Sequence, residues 1–172
     1  DYSDEVVDKV LDYHRLHGGI SRVHKIAHAH EHFIGSSLTD ANLQEWAGRY
    51  SELVVDKVIE ERYIPGALEY LEEISTSVLK VFVISGTPET ELQRIIREKG
   101  LNHFFHEQLG SPTKKPDHIR RLLRQYELKP QDCVFVGDAY TDYYAAKETG
   151  LHFIGIQGDV EFPEGSVVLD DC

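Results

Sequence analysis

The stretch from Lys129 to Asp142, KPQDCVFVGDAYTD, constrains the fold more than any other part of the chain. Residues Cys133 to Val136 form a short, uncharged run rich in β-formers, which predicts a buried parallel strand between helix layers. Asp138 comes directly after this strand, at the sheet edge where open α/β folds bind ligands. Asp142 follows four residues later, where the next helix is predicted to begin. The pattern therefore places two carboxylates at one edge of a sheet.

Two carboxylates at one place repel each other unless a cation lies between them, and a hard cation such as Mg²⁺ prefers oxygen ligands. Asp138 and Asp142 are thus candidate metal ligands. A plainer interpretation is also open, in which Asp138 caps the helix and Asp142 lies on its solvated first turn.

The amino-acid composition limits the kinds of molecule that the protein is expected to bind. The net charge is −12, with 30 acidic residues against 18 lysines and arginines, which argues against binding to nucleic acid or to an anionic membrane. The hydrophobic content of 41% is enough for a compact core. The sequence shows neither an apolar stretch of membrane-spanning length nor a secretory leader. Its two cysteines, Cys133 and Cys172, fit a reducing compartment, so we expect a cytoplasmic protein.

Residues 1 to 62 are predicted to be a small, all-helical unit. A first helix begins after Ser3 and ends at Gly18-Gly19, a second runs from Ser21 to Ile34, and a third begins after Thr39. The unit is small for independent stability, so we expect it to pack on the rest of the chain.

Residues 63 to 172 alternate between strand and helix patterns, which predicts an α/β domain with a parallel sheet. Strands are expected at five places and helices between them. The predicted strands are 78–84, 104–109, 133–136, 152–156 and 167–169; the predicted helices are 67–74, 89–99, 117–126 and 140–148.

Two further polar features accompany this pattern. Ser85, Gly86 and Thr87 follow the second-domain strand VLKVFVI and lead into a helix N-terminus, where free amides favour an anion. Lys114 and Lys115 lie in a loop that enters another helix. A hydroxyl, an ammonium group and an acid pair that binds Mg²⁺ are the groups that a phosphoryl group needs around its oxygens.

The order and spacing of these features resemble the haloacid dehalogenase-like hydrolase superfamily. The resemblance lies in VFVISGT with Ser85, in SPTKKPD with Lys115, and in VFVGDAYTD with Asp138 and Asp142. It implies a Rossmann-like core with strand order 5-4-1-2-3 and a helical cap of the C1 type formed by the first 62 residues. It also favours Lys115 over Lys114 as the phosphate-binding lysine.

One family motif is absent from the sequence. The superfamily has a strand ending in DxDG(T/V) before the cap, which supplies the nucleophilic Asp and the general acid and base. The opening residues, Asp1 to Asp4, have no strand before them and no glycine after them. The resemblance places the missing strand, strand 1 of the core, between the strands at Cys133 and Val78. We therefore expect the natural protein to carry an additional N-terminal segment, and we expect the 172-residue chain alone to be inactive.

By resemblance, the complete protein is a Mg²⁺-dependent phosphatase that works through an aspartyl-phosphate. Ser85, with Gly86 and Thr87, and Lys115 would bind the phosphate, and Asp138 with Asp142 would bind Mg²⁺. The substrate would be a small phosphorylated metabolite: phosphoglycolate, sugar phosphates and nucleotide monophosphates all remain open. The alternatives are a phosphomutase or a dehalogenase of the same superfamily, or a binding protein without turnover.

Substrate specificity is expected to come from the cap. The segment from His17 to Lys25 joins a Gly-Gly turn to a helix N-terminus, and Gly19, Arg22 and Lys25 within it are candidates to meet an anionic substrate. An ordinary interhelical turn with surface cations is the plainer interpretation. The histidines at 24, 28, 30 and 32 are not expected to form a metal site, because no nearby Cys completes one and His28, His30 and His32 cannot all lie on one helix face.

Overall fold

The fold was obtained as a computed structural model that describes residues 2–170, so the predictions that fall on Asp1 and Cys172 lie outside the described residues. The chain begins with helices alone and then alternates between helices and strands. We call residues 2–62 the helical part and residues 63–170 the α/β part. The predicted division into two domains near residue 62 stays a prediction.

The helical part confirms the three predicted helices. They are α1 (Asp4–Leu16), α2 (Arg22–Ala29), which continues as a π-helical turn (His30–Ile34), and α3 (Asp40–Glu60). Gly35 ends the second helix in the left-handed conformation, with φ of 74°. Thr39 caps α3 through a hydrogen bond of 3.3 Å from the Asn42 amide to its hydroxyl oxygen.

The α/β part contains four helices and five strands within the described residues. In chain order they are α4 (Ala67–Ser75), β1 (Phe82–Pro88), α5 (Glu89–Glu98), β2 (Glu107–Ser111), α6 (Lys115–Gln125), β3 (Val134–Gly137), α7 (Tyr140–Thr149), β4 (His152–Ile156) and β5 (Val167–Leu169). Short 3₁₀ turns at Asn102–Phe104 and Pro130–Asp132 precede β2 and β3. All strand pairs are parallel, as predicted.

The strands form two sheets. One has the order β1-β2 and the other the order β3-β4-β5, and within residues 2–170 β1 and β3 are each paired on one side only. These are the strands that the sequence predicted on either side of a missing central strand. With strand 1 left out of the predicted order 5-4-1-2-3, the pair β1-β2 corresponds to strands 2-3 and the pair β3-β4 to strands 4-5, while β5 is a further strand beside β4.

The prediction that the Cys133 strand is buried was wrong. The strand is β3, Val134–Gly137, and the side chains of Val134 and Val136 are 50% and 45% exposed. Among the described residues, β3 has a neighbouring strand only in β4, so part of its surface stays open. Cys133 itself lies outside the strand and is a free cysteine.

Two other strands begin later than predicted. The first was expected from Val78 to Ile84, but β1 spans Phe82–Pro88 and Val78 is fully exposed. The second was expected from Phe104 to Leu109, but β2 spans Glu107–Ser111. Pairing explains both shifts, because β1 and β2 are first aligned at Phe82↔Glu107 and continue, after a register shift between Ile84 and Pro88, to Pro88↔Ser111. Phe104 instead packs in the core cluster with Leu92, Ile96 and Leu101.

The two parts of the chain meet along α3 and α5.

Within residues 2–170 no helix is both long enough and apolar enough to cross a membrane.

Candidate active site

The two predicted acids both lie at the carboxyl end of β3, in different surroundings. Asp138 follows the strand directly and is exposed. Asp142 lies in the first turn of α7 and is buried, and its Oδ2 accepts a hydrogen bond of 3.3 Å from the Ala139 amide. The plainer interpretation was therefore wrong in both halves: Asp142 makes the capping contact, and it is not solvated.

Gly137 allows the Asp142 carboxylate to approach the end of β3. A Cβ at position 137 would lie 2.5 Å from Asp142 Cγ and 2.7 Å from its Oδ2, which is closer than packed atoms approach. A side chain there would push the carboxylate away from the strand end. This is the local reason for a glycine before the first acid in GDAYTD.

Lys115 is the partner of Asp142. Its Nζ lies 2.5 Å from Asp142 Oδ1 and 3.2 Å from Thr141 Oγ1, and the two charged side chains are only 10% and 7% exposed. Burial raises the pKa of Asp142 above its ordinary value; the Lys115 ammonium group offsets part of this rise, and the nearby charge of Asp138 adds to it. Lys114 is exposed at the N-terminus of α6, so the geometry supports the choice of Lys115.

Ser85, Gly86 and Thr87 lie within the carboxyl end of β1, whereas they were predicted to follow the strand. The Ser85 hydroxyl donates to Thr87 Oγ1 and accepts a hydrogen bond from the Thr87 amide, both at 3.1 Å. The helix α5 begins only at Glu89, after Pro88. The hydroxyl and amide groups are thus organised by the strand end itself.

The turn Gly18-Gly19 of the helical part joins the two halves of the site. Thr141 donates its hydroxyl to the Gly18 carbonyl oxygen at 3.1 Å. A Cβ on Gly19 would lie 2.6 Å from Lys115 Nζ and collide with Thr141 Oγ1, and a Cβ on Gly86 would collide with the Gly19 carbonyl. The turn therefore lies between the end of β1 and the Lys115–Asp142 pair.

Arg22 and Lys25 have different surroundings. Arg22 Nη1 lies 2.6 Å from Ser51 Oγ and 2.8 Å from Glu91 Oε2, and its guanidinium group lies 4.8 Å from the centre of the Tyr50 ring. Lys25 Nζ lies 3.4 Å from both His14 Nδ1 and the His14 carbonyl oxygen, and burial lowers the pKa of its ammonium group.

A cavity of about 510 Å³ extends from the end of β1 into the helical part. Ser85, Gly86 and Thr87 line one end, and Gly19, Arg22 and Lys25 are also in contact with it. Most of its remaining wall is apolar or aromatic. These wall residues include Val10, Leu11, Tyr13, Ile20, Ile26, Trp46 and Tyr50.

The donor groups present fit Mg²⁺ as part of its coordination shell. The carboxylate oxygens of Asp138 and Asp142 are ligands of the kind that Mg²⁺ prefers, and the remaining positions suit water and substrate oxygens. In the part of the chain that the structure describes, no group of three or more His, Cys, Asp or Glu side chains is placed to hold a metal ion. Of the four histidines considered above, His28 stacks on Tyr13 with ring centres 4.0 Å apart, His32 lies 4.2 Å from His28, and His30 lies 5.4 Å from Trp46.

The sequence prediction missed three residues of this site. Thr141 lies within the GDAYTD stretch, so its closeness to Asp142 was a usable signal. Glu91 and Ser51 are 69 and 29 residues from Arg22, and no local pattern links them. Only the packing of α3 against α5 brings them together.

The site thus combines the hydroxyl of Ser85 at the end of β1, the ammonium group of Lys115 at the start of α6 and the carboxylates of Asp138 and Asp142 after β3, on a parallel α/β fold. A family model described as haloacid dehalogenase-like hydrolase matches residues 22–156. The chain therefore belongs to the haloacid dehalogenase-like hydrolase family, as the sequence motifs predicted.

Curated relatives carry the name phosphoglycolate phosphatase. The protein from Mannheimia succiniciproducens is 27% identical over 128 residues, which cover 71% of this chain and 57% of the relative. Phosphoglycolate phosphatase 1 from Pseudomonas aeruginosa is 28% identical over 123 residues, which cover 69% of this chain and 44% of the relative. The chain thus spans about half the length of the relatives it matches.

Solved structures confirm the fold. The crystal structure of CbbY from Rhodobacter sphaeroides in complex with phosphate aligns with a TM-score of 0.75 and 20% identity, over 99% of this chain and 79% of that protein. A predicted phosphoglycolate phosphatase from Haemophilus somnus aligns with a TM-score of 0.70 and 20% identity, over 89% and 75% of the two chains. Both support the predicted Rossmann-like α/β class.

Proposed function

We propose that the complete protein is a Mg²⁺-dependent phosphatase that hydrolyses a small phosphorylated metabolite through an aspartyl-phosphate. The observation that carries this proposal is the convergence at Gly19: the end of β1 with Ser85 lies on one side of the turn, and the buried Lys115–Asp142 pair lies on the other. The family and the names of the relatives support the same reaction class. The expected setting is the cytoplasm.

In this proposal each described residue has a separate task. Ser85 and Lys115 bind the equatorial phosphate oxygens, with the amides of Gly86 and Thr87 beside them. Asp138 and Asp142 hold Mg²⁺, which when bound neutralises charge on the phosphate. The nucleophilic Asp belongs to a segment outside this sequence, on a strand between β1 and β3. Gly19 and Lys25 contact the leaving group from the cavity.

The test is a set of single variants in the complete protein, assayed with 4-nitrophenyl phosphate and with phosphoglycolate. Asp138→Asn and Lys115→Met are each expected to lower Mg²⁺-dependent phosphate release by at least about a hundredfold, because both act on the charge of the transferred group. Lys114→Met is the matched control and should keep wild-type turnover. Wild-type turnover in Asp138→Asn would remove this residue from the proposed metal site.

The names of the relatives make phosphoglycolate the first substrate to test. A sugar phosphomutase is the second candidate, because one structural neighbour, from Thermotoga maritima, is titled a putative β-phosphoglucomutase. Product analysis separates the two reactions: a phosphatase releases inorganic phosphate, whereas a mutase moves phosphate between substrate positions without net release.

A further inference from the structure

Arg22 is held by charged and polar groups from both parts of the chain. Its Nη1 contacts Ser51 on α3 and Glu91 in the first turn of α5, and the Ser51 hydroxyl lies 2.7 Å from Glu91 Oε1. The side chains of Arg22 and Glu91 are only 11% and 20% exposed. The three groups form a partly buried link between the helical part and the α/β part.

Glu91 depends on Arg22 in this arrangement. Its Oε2 is buried and accepts no well-aligned hydrogen bond among the described residues, so the Arg22 charge at 2.8 Å is its main compensation. Removing either partner of a buried ion pair leaves the other charge without compensation, which is costly. The pair therefore favours one position of Arg22 over others.

The fixed position of Arg22 matters because Gly19 is only three residues away. Toward the N-terminus, the Thr141 hydroxyl binds the Gly18 carbonyl. Toward the C-terminus, Glu91 binds Arg22. The segment Gly18–Arg22 is thus attached to α7 at one end and to α5 at the other, with Gly19 between Gly86 and Lys115.

We propose that Glu91 is a positioning residue for the active site. By holding Arg22, it fixes the Gly18-Gly19 turn over Ser85 and Lys115. Arg22 then acts through the position of the turn and not by binding an anionic group of the substrate. This proposal rests on the proposed phosphatase function, which it deepens.

The experiment uses the complete protein and 4-nitrophenyl phosphate, whose leaving group has no carboxylate or second phosphate for Arg22 to bind. Glu91→Gln and Arg22→Gln are each expected to lower kcat/KM by about tenfold or more. The double variant should be no worse than either single variant, because both remove the same link. Exchanging the charges, with Arg22→Glu and Glu91→Arg together, should restore part of the lost activity.

An ion pair between α3 and α5 is the matched control. Arg94 Nη2 on α5 lies 2.6 Å from Asp56 Oδ1 on α3, but these side chains are 44% and 67% exposed. Exposed pairs contribute little, so Asp56→Asn should keep kcat/KM within about twofold of the wild type.

Hydrogen exchange provides a readout that does not depend on catalysis. In Glu91→Gln, amides of residues 18–22 should exchange faster than in the wild type, whereas Asp56→Asn should not change them. Ser51→Ala is a milder change that should also make the amides of residues 18–22 exchange faster. It replaces Glu91→Gln as the test variant if Glu91→Gln does not fold.

Three outcomes would overturn the proposal: wild-type activity in Glu91→Gln with a loss in Arg22→Gln, a double variant much worse than either single one, or unchanged exchange of residues 18–22. A wild-type protein that hydrolyses no phosphate ester would instead refute the proposed function, and the exchange measurement would still decide whether Glu91 positions the turn.

Discussion

Gly19 illustrates how much of the site depends on single residues. Its φ of 73° lies in the left-handed region, and its missing side chain leaves room for Lys115 Nζ and Thr141 Oγ1. Gly35 has a similar φ of 74° but no atom within 4 Å of where its Cβ would lie. A side chain at Gly35 would therefore strain only the backbone, whereas a side chain at Gly19 would also crowd Lys115 and Thr141.

We expect Gly35→Ala to lower the free energy of unfolding by about 1 kcal/mol, through backbone strain alone, and to leave activity unchanged. Gly19→Ala should carry the same strain and in addition displace the turn from Lys115, so kcat/KM should fall at least about tenfold. Urea unfolding and phosphatase assays of both variants make the comparison. Equal activities of the two variants would show that the contact with Lys115 does not matter.

The sequence could predict residues of the candidate site, but it could not predict the ion pairs and hydrogen bonds between their side chains. Ser85, Lys115, Asp138 and Asp142 could be selected because each lies near the end of a predicted strand or the start of a helix and because their order resembles that of the haloacid dehalogenase-like superfamily. The Lys115–Asp142 ion pair was not predicted, because its two residues lie on different helices, α6 and α7. The link from Arg22 to Glu91 was likewise beyond local patterns, since it depends on how the helical part packs on α5.

At the scale of elements, helices were predicted better than strands. Helix ends depend on local signals, such as Thr39 before α3 and Gly150 after α7, and the sequence shows these directly. Strand ends depend on the partner strand, so β1 and β2 both begin three or four residues later than their β-rich sequences suggested. The exposed face of β3, with Val134 and Val136, was likewise not evident from its apolar sequence.

The contact between β2 and α6 provides an element-scale test. Glu107 on β2 binds Arg121 on α6 at 2.6 Å, and the hydrogen bond from Arg121 is the main cause that lowers the pKa of the Glu107 carboxyl below its ordinary value of about 4.5. With a lowered pKa in the folded state, the unfolded chain binds more protons in this range, so the contribution to stability is complete above pH 4.5 and disappears as the pH falls below it.

Glu107→Gln should therefore lower the free energy of unfolding by about 1 kcal/mol at pH 7, and the difference from the wild type should shrink as the pH falls below about 4.5. The effect is kept small because Arg121 is partly exposed to solvent. Urea unfolding between pH 3 and 7 measures it, with the exposed Glu72→Gln as control. A difference that does not vary with pH would argue against the ion pair.

For the whole molecule, β1 and β3 each carry an unpaired edge within residues 2–170, and β3 also exposes Val134 and Val136. A further strand paired with these edges would form backbone hydrogen bonds with them and remove apolar surface from water. A further strand in this position is part of our proposal for the complete protein.

We expect the complete protein to unfold at a higher urea concentration than residues 1–172 alone, in a single transition. Its m-value should also be larger, because more surface is exposed on unfolding. Urea titrations followed by circular dichroism compare the two proteins. Matching midpoints and m-values would speak against a strand between β1 and β3.

Trp46 is the only tryptophan of the 172 residues, and it lies in α3 with its ring 5.4 Å from that of His30. Its fluorescence therefore reports on one half of the molecule, while the far-ultraviolet signal reports on both. Melting curves recorded by the two probes will coincide if the helical part and the α/β part unfold together, and they will differ if one part unfolds first. The single tryptophan thus makes the cooperativity between the two parts measurable without any added label.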